Sequence, residues 1–120
     1  MAGAHLHGIG VDVVDLERFA ATLERTPELA SRLFTAGEAE RSVESLAGRF
    51  AAKEAFVKAL RAPAGMSWQD IEVVTDEHGA PSFQLHGAAA DRAGDLGLTL
   101  HLSISHDTSV ATAFVVAEVS

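Results

Sequence analysis

The stretch Gly8-Ile-Gly-Val-Asp-Val-Val14 alternates as a strand does, with Ile9, Val11 and Val13 on one face and Gly8, Gly10 and Asp12 on the other. One face is apolar and the other almost bare. Working outward, Asp15 has the chemistry of an N-cap, and Val14 and Phe19 are spaced as a hydrophobic staple for a helix running to about Arg25. Thr26-Pro27 restarts a short helix, and Thr35-Ala-Gly-Glu38 reads as a capping box that opens another. A long helix rich in Ala and Leu is expected from about Ser45 to Arg61, ending before Pro63-Ala-Gly65.

Beyond residue 66 the pattern changes. Asp70 to Thr75 and Ser82 to Leu85, joined by Asp76-Glu-His-Gly79, have the form of a hairpin. Ala88 to Leu96 reads as a helix with Gly97 as its stop. Leu98 to Ser105 and Val110 to Val119, joined by His106-Asp-Thr-Ser109, form a second hairpin. Helices gather in the first half and strands mostly in the second, which favours an α+β fold with a largely antiparallel sheet over an alternating α/β fold. No repeat or low-complexity linker divides the chain, so 1–120 is read as one domain.

Composition narrows the class further. At 120 residues with 48% hydrophobic content, the chain can bury a small core, and it lacks the composition of a disordered segment. It has no Cys, so disulfides and thiolate metal sites are excluded. No apolar run approaches the roughly 20 residues of a membrane span, and the N-terminal residues lack the charged-then-apolar pattern of a leader. The expectation is a soluble cytoplasmic protein with no membrane partner. A formal charge of −8 argues against nucleic acid, whose binding is driven by phosphate neutralisation. Yet residues 49–61 hold Arg49, Lys53, Lys58 and Arg61, four of the nine cations, against one of the seventeen acids, Glu54. A basic island in an acidic chain points to a bound anion.

On the long helix, Leu46, Phe50, Val57 and Leu60 form one apolar stripe at about 100° per residue, and Lys53 and Glu54 project within or beside it. Charges among core positions need partners. One reading is an i,i+4 pair between Glu54 and Lys58. The other adds Asp12 from the open face of the strand: two carboxylates could hold one Mg²⁺, an ion that takes one or two carboxylates plus phosphate oxygens and water, while Arg49, Lys53 and Lys58 take phosphate charge. Asp12 alone could equally be a turn or cap residue. In Ser103-Ile-Ser-His106, the polar face of His101, Ser103 and Ser105 reads either as an outer strand face or as a nucleophile and base; no acid is placed to orient the His, and His106 could contact a phosphate. On the first helix, Arg18 and Arg25 flank Ala21 and Thr22 as a basic stripe, either plain solvated surface or a dock for an acidic partner helix.

Together Gly8-Ile-Gly-Val-Asp-Val-Val14, Leu46-Ala-Gly-Arg-Phe-Ala-Ala-Lys-Glu-Ala-Phe-Val-Lys58 and Ser103-Ile-Ser-His106 resemble the signatures of the holo-acyl-carrier-protein synthase family of 4′-phosphopantetheinyl transferases. Gln69-Asp-Ile-Glu72 and Gly79-Ala-Pro81 follow in the family's order. The resemblance implies the family's α+β fold, assembled as a homotrimer with active sites between protomers. It also implies Mg²⁺-dependent transfer of the phosphopantetheine arm of coenzyme A to a serine of an apo acyl carrier protein, in fatty-acid or polyketide synthesis. By motif, Asp12 and Glu54 are the implied Mg²⁺ ligands, with Glu54 and Lys58 catalytic. Arg49, Lys53, Lys58 and His106 are the implied coenzyme A contacts, and Arg18 the implied carrier-docking residue, with Arg25 extending its stripe. The chain departs from the family where Lys58-Ala-Leu-Arg61 replaces a Lys-Ala-Leu-Gly pattern, and Arg61 there is a candidate further phosphate contact. The rival readings are a carrier-binding module without turnover and a metal-dependent phosphohydrolase.

Overall fold

In the computed structural model, which describes residues 5–61 and 66–119, the glycine-bearing strand spans His5–Asp15 (β1) and leads directly into a helix, Leu16–Arg25 (α1). The Asp15 carboxylate accepts from the Arg18 N–H at 2.8 Å, so the cap is the one the sequence offers. Two short helices follow, Glu28–Leu33 (α2) and Ala36–Ala39 (α3), the second opened by a complete capping box between Thr35 and Glu38. The long helix is Val43–Leu60 (α4), capped by Ser42 and closed by Arg61 in the left-handed region at φ 50°. The Pro63-Ala-Gly65 stop lies outside the described residues.

After a 3₁₀ turn at Trp68–Asp70, strands Ile71–Thr75 (β2) and Pro81–Leu85 (β3) pair as an antiparallel hairpin. Helix Gly87–Leu96 (α5) stops at Gly97, φ 64°. Strands Leu98–Asp107 (β4) and Val110–Val119 (β5) then form the second hairpin; pairing of His106 with Ala111 and Asp107 with Val110 shrinks the expected loop to Thr108 and Ser109. β1 joins β5 antiparallel, which gives a three-stranded sheet in the order β1-β5-β4. The α+β, antiparallel expectation is met.

The packing of α4 on this sheet corrects two expectations. The glycine face of β1 is not open: a Cβ on Gly8 would overlap the Ala59 carbonyl oxygen, and one on Gly10 the Ala55 carbonyl oxygen. The bare strand face is the seat of the helix backbone, and beyond the two glycines it leaves Asp12 at the edge of that contact. Nor is α4 a helix with one apolar stripe. Ala47, Ala51, Ala55 and Ala59, an i,i+4 row, are fully buried, as are Ala52, Phe56 and Leu60. Phe50 and Val57, expected in the stripe, are only half-buried. Small residues on both partners, with Ala111, Ala113 and Ala117 on the inner face of β5, allow the close approach.

The apolar residues of β1 consequently point away from the core. Ile9, Val11 and Val13 are 50%, 52% and 62% exposed, and Phe114, paired opposite Val11, is 44% exposed. His101, Ser103 and Ser105 share that outer face, as their alternation indicated.

Candidate functional site

Asp12 and Glu54 line one cavity of about 380 Å³, whose walls include Arg18, Thr22, Leu33 and Phe50. The strand supplies Asp12 just past the glycines. The helix supplies Glu54 one residue before Ala55, the residue that touches Gly10, so the glycine contact sets the spacing between the two carboxylates. Lys58 does not form the i,i+4 pair with Glu54 that one of the two readings of the helix offered. Its ammonium donates to Asp12 Oδ1 at 3.1 Å and to the Val11 carbonyl at 3.0 Å. The Asp12 main chain is held in turn by the Thr112 hydroxyl, which donates to its carbonyl at 2.9 Å.

Burial, and then the charge of Asp12, push the Glu54 carboxyl above the ordinary range, while Lys58 acts the other way. Two carboxylates facing one ammonium leave an excess of negative charge, and a bound cation would relieve it. Among the described residues no group of three His, Cys, Asp or Glu side chains could hold a metal ion. A pair suits a hard divalent ion that completes its shell with phosphate oxygens and water, so the residues fit Mg²⁺ better than a metal held in an all-protein cage.

A second cavity, about 280 Å³, lies on another face of α4 and brings Arg49 and His106 together with Ser45, Thr75, Gly79 and Pro81. Arg49 is 3% exposed, yet among the described residues its Nη1 donates only to Ser45 Oγ, at 3.5 Å, and its Nε has no partner. Burial first, then the charge of Arg41, lowers its pKa. A buried arginine whose Nε is unpaired is suited to receive an anion. His106 Nε2 donates to the Glu44 carbonyl at 3.0 Å, which fixes the ring with Nε2 protonated.

Lys53, a candidate phosphate contact, lines neither cavity. Its ammonium is fully buried and donates to Glu38 Oε1 (2.7 Å), the Leu33 carbonyl (2.7 Å) and the Trp68 carbonyl (3.0 Å). All three donors are used internally. Arg61 caps the end of α4, one turn beyond Lys58, and is exposed. Arg18 and Arg25 are both exposed on α1, with Arg18 at the rim of the first cavity. Residues that the pattern of the sequence did not single out as functional are Thr22, Leu33, Ser45, Thr75 and the counter-ion Glu38. Only Glu38 left a signal, since a Lys on a core stripe demands an acid.

The sequence profile described as the 4′-phosphopantetheinyl transferase superfamily matches residues 8–115. The holo-[acyl-carrier-protein] synthase of Clavibacter michiganensis is 59% identical over 114 residues, covering 94% of this chain and 96% of that protein. That of Streptomyces coelicolor is 51% identical over 118 residues, covering 92% and 96%. Among solved structures, the coenzyme A complex of the Chronobacterium ammoniagenes synthase aligns over 99% of both chains with a TM-score of 0.84 at 33% identity. The coenzyme A complex of the Helicobacter pylori synthase aligns over 91% of this chain and 98% of that one, with a TM-score of 0.79 at 31% identity.

Proposed function

This chain belongs to the 4′-phosphopantetheinyl transferase superfamily, and we propose that it works, as one domain over 1–120, as a holo-[acyl-carrier-protein] synthase. The phosphopantetheine arm of coenzyme A passes to a serine of an apo acyl carrier protein of fatty-acid or polyketide synthesis, and adenosine 3′,5′-bisphosphate leaves. The observation that carries the reading is the single cavity lined by Asp12 and Glu54 with Lys58 bound to Asp12, in a chain whose relatives are synthases throughout their length.

In this reading Asp12 and Glu54 are the residues that would hold Mg²⁺. When bound, the ion supplies Lewis-acid polarisation of the diphosphate and stabilises the charge of the leaving bisphosphate. Lys58 leaves Asp12 to meet the phosphate charge, and Glu54 or a water beside it takes the serine proton. Arg49 and His106 bind the nucleotide-side phosphate, and Arg61 adds a cation near Lys58. Arg18 and Arg25 present positive charge to an acidic carrier beside the cavity mouth, which aids encounter and orientation.

The two cavities support an active site shared between copies. Arg49 precedes Glu54 by five residues, which at about 100° per residue turns them roughly 140° apart around α4, so one chain faces coenzyme A with its carboxylates on one side and its anion pocket on another. The exposed row of Ile9, Val11, Val13 and Phe114 supports the assembly that would bring them together, a homotrimer buried through the outer sheet face. Among the described residues no helix is long and apolar enough to cross a membrane, and a cytoplasmic location is part of the proposal.

The test is incubation with coenzyme A, Mg²⁺ and an apo carrier, followed by intact-mass measurement of the carrier. A gain of one phosphopantetheine is expected. Coenzyme A binding without transfer would favour the carrier-binding module, and phosphate release without a carrier would favour the phosphohydrolase.

A further inference from the structure

One buried ion pair lies outside both cavities, and it sits one residue away from Glu54. Lys53 and Glu38 are 0% and 1% exposed and 2.7 Å apart. The pair is satisfied on every side. Glu38 Oε1 also accepts from the Thr35 N–H at 3.1 Å, and Oε2 from the Val73 N–H at 3.1 Å. The ammonium holds the Leu33 carbonyl at the end of α2 and the Trp68 carbonyl in the 3₁₀ turn.

One of the two held residues belongs to the wall of the catalytic cavity, and the other packs behind it. Leu33 lines the space that Asp12 and Glu54 share, and so does Phe50, whose ring lies 5.8 Å from that of Trp68. A side chain that projects from α4 beside Glu54 therefore fastens two separate segments, α2 and the 3₁₀ turn, to the helix that carries the carboxylate. Glu38 extends the same fastening to α3 and to β2.

We propose that Lys53 is a positioning residue for the transfer reaction, pinning Leu33 and Trp68 against α4 so that the cavity around Asp12 and Glu54 keeps its shape, and making no contact with coenzyme A. This rests on the synthase reading. The two lysines of the helix then have different roles. Lys58, half-exposed, faces substrate charge, whereas Lys53 spends its three donors inside the protein.

A double-mutant cycle tests it, with Lys53→Met, Glu38→Gln and the two combined in the full chain. Each is measured by thermal unfolding, by calorimetric titration with coenzyme A, and by kcat and KM for an apo carrier. Lys53→Met alone strands Glu38 and is expected to lower the unfolding midpoint and to cut kcat/KM for the carrier about tenfold or more, while coenzyme A Kd stays within about threefold. The double variant, with no stranded charge, is expected to regain most of the midpoint but little of the lost turnover, because the Leu33 and Trp68 carbonyls stay unheld. If Lys53→Met does not fold, the double variant and Glu38→Gln decide the matter alone. A well-folded double variant that binds coenzyme A more than about tenfold weaker, or that regains wild-type turnover, overturns the proposal. Wild-type protein that transfers nothing to any carrier overturns the synthase reading instead, and the stability cycle would then still report whether the pair is coupled.

Discussion

Replacing Arg49 with methionine should move two measurements in opposite directions. In the free protein the guanidinium is 3% exposed, holds one hydrogen bond at the 3.5 Å limit, and leaves Nε unpaired. A buried polar group without a partner costs about 1–3 kcal/mol. Methionine of similar length fills the space without that cost, so the free variant should gain about 1 kcal/mol, or about 4 °C in Tm for a domain of this size. Toward coenzyme A the sign reverses. A charge-assisted hydrogen bond to phosphate is worth about 1.5–3 kcal/mol, so Kd should weaken about 10- to 150-fold. Thermal unfolding without ligand and calorimetric titration with coenzyme A, run on one preparation, read both. A Kd within about threefold of wild type would refute the phosphate assignment, since the smallest expected loss is about tenfold. A Tm lower by several degrees would refute the claim that the guanidinium is under-satisfied in the free state.

Gly10→Ala should cost about 3 kcal/mol or more by urea denaturation, because both sides of the clash are backbone and α4 must move as a body; the same shift displaces Glu54 from Asp12, so transfer should fall too. Glu72 accepts from Thr35 Oγ1 (2.8 Å) and pairs with His86 Nε2 (2.9 Å), and the His86 contact, first, holds its carboxyl below the ordinary value of 4.5. A depressed carboxyl stabilises the fold above its unfolded pKa, so Glu72→Gln should cost about 1 kcal/mol at pH 7, and the difference from wild type should vanish as pH falls below the folded value. Val11→Asp combined with Phe114→Asp should turn a particle of about three chains into a monomer by light scattering, with the fold retained by circular dichroism, because both side chains already face outward.

Local chemistry made most of the fold legible. Asp15, Thr35 and Gly97 each act through a cap or a left-handed turn that depends only on their neighbours, and each sits where the spacing put it. Non-local packing was less legible. Alternation in β1 separates two faces but does not say which one a helix will cover; that followed from matching Gly8 and Gly10 to Ala59 and Ala55, far along the chain. Counting apolar stripes likewise undervalues a helix whose other sides are alanine, since alanine weighs little in any hydrophobic pattern yet packs most closely. In the site, the Asp12, Glu54 and Lys58 grouping was readable because strand and helix each present them in regular order. The partner of Lys53 was hidden because Glu38 already had a local role as the N3 residue of a capping box, and its second role depends on where α3 lands.

The most direct measurement is the intact mass of an apo acyl carrier protein after incubation with coenzyme A, Mg²⁺ and either wild-type protein or the Glu54→Gln variant. Wild type should add one phosphopantetheine and the folded variant none. A carrier whose mass stays unchanged with wild type, across carriers of fatty-acid and polyketide type, or an equal gain with both proteins, would contradict the account.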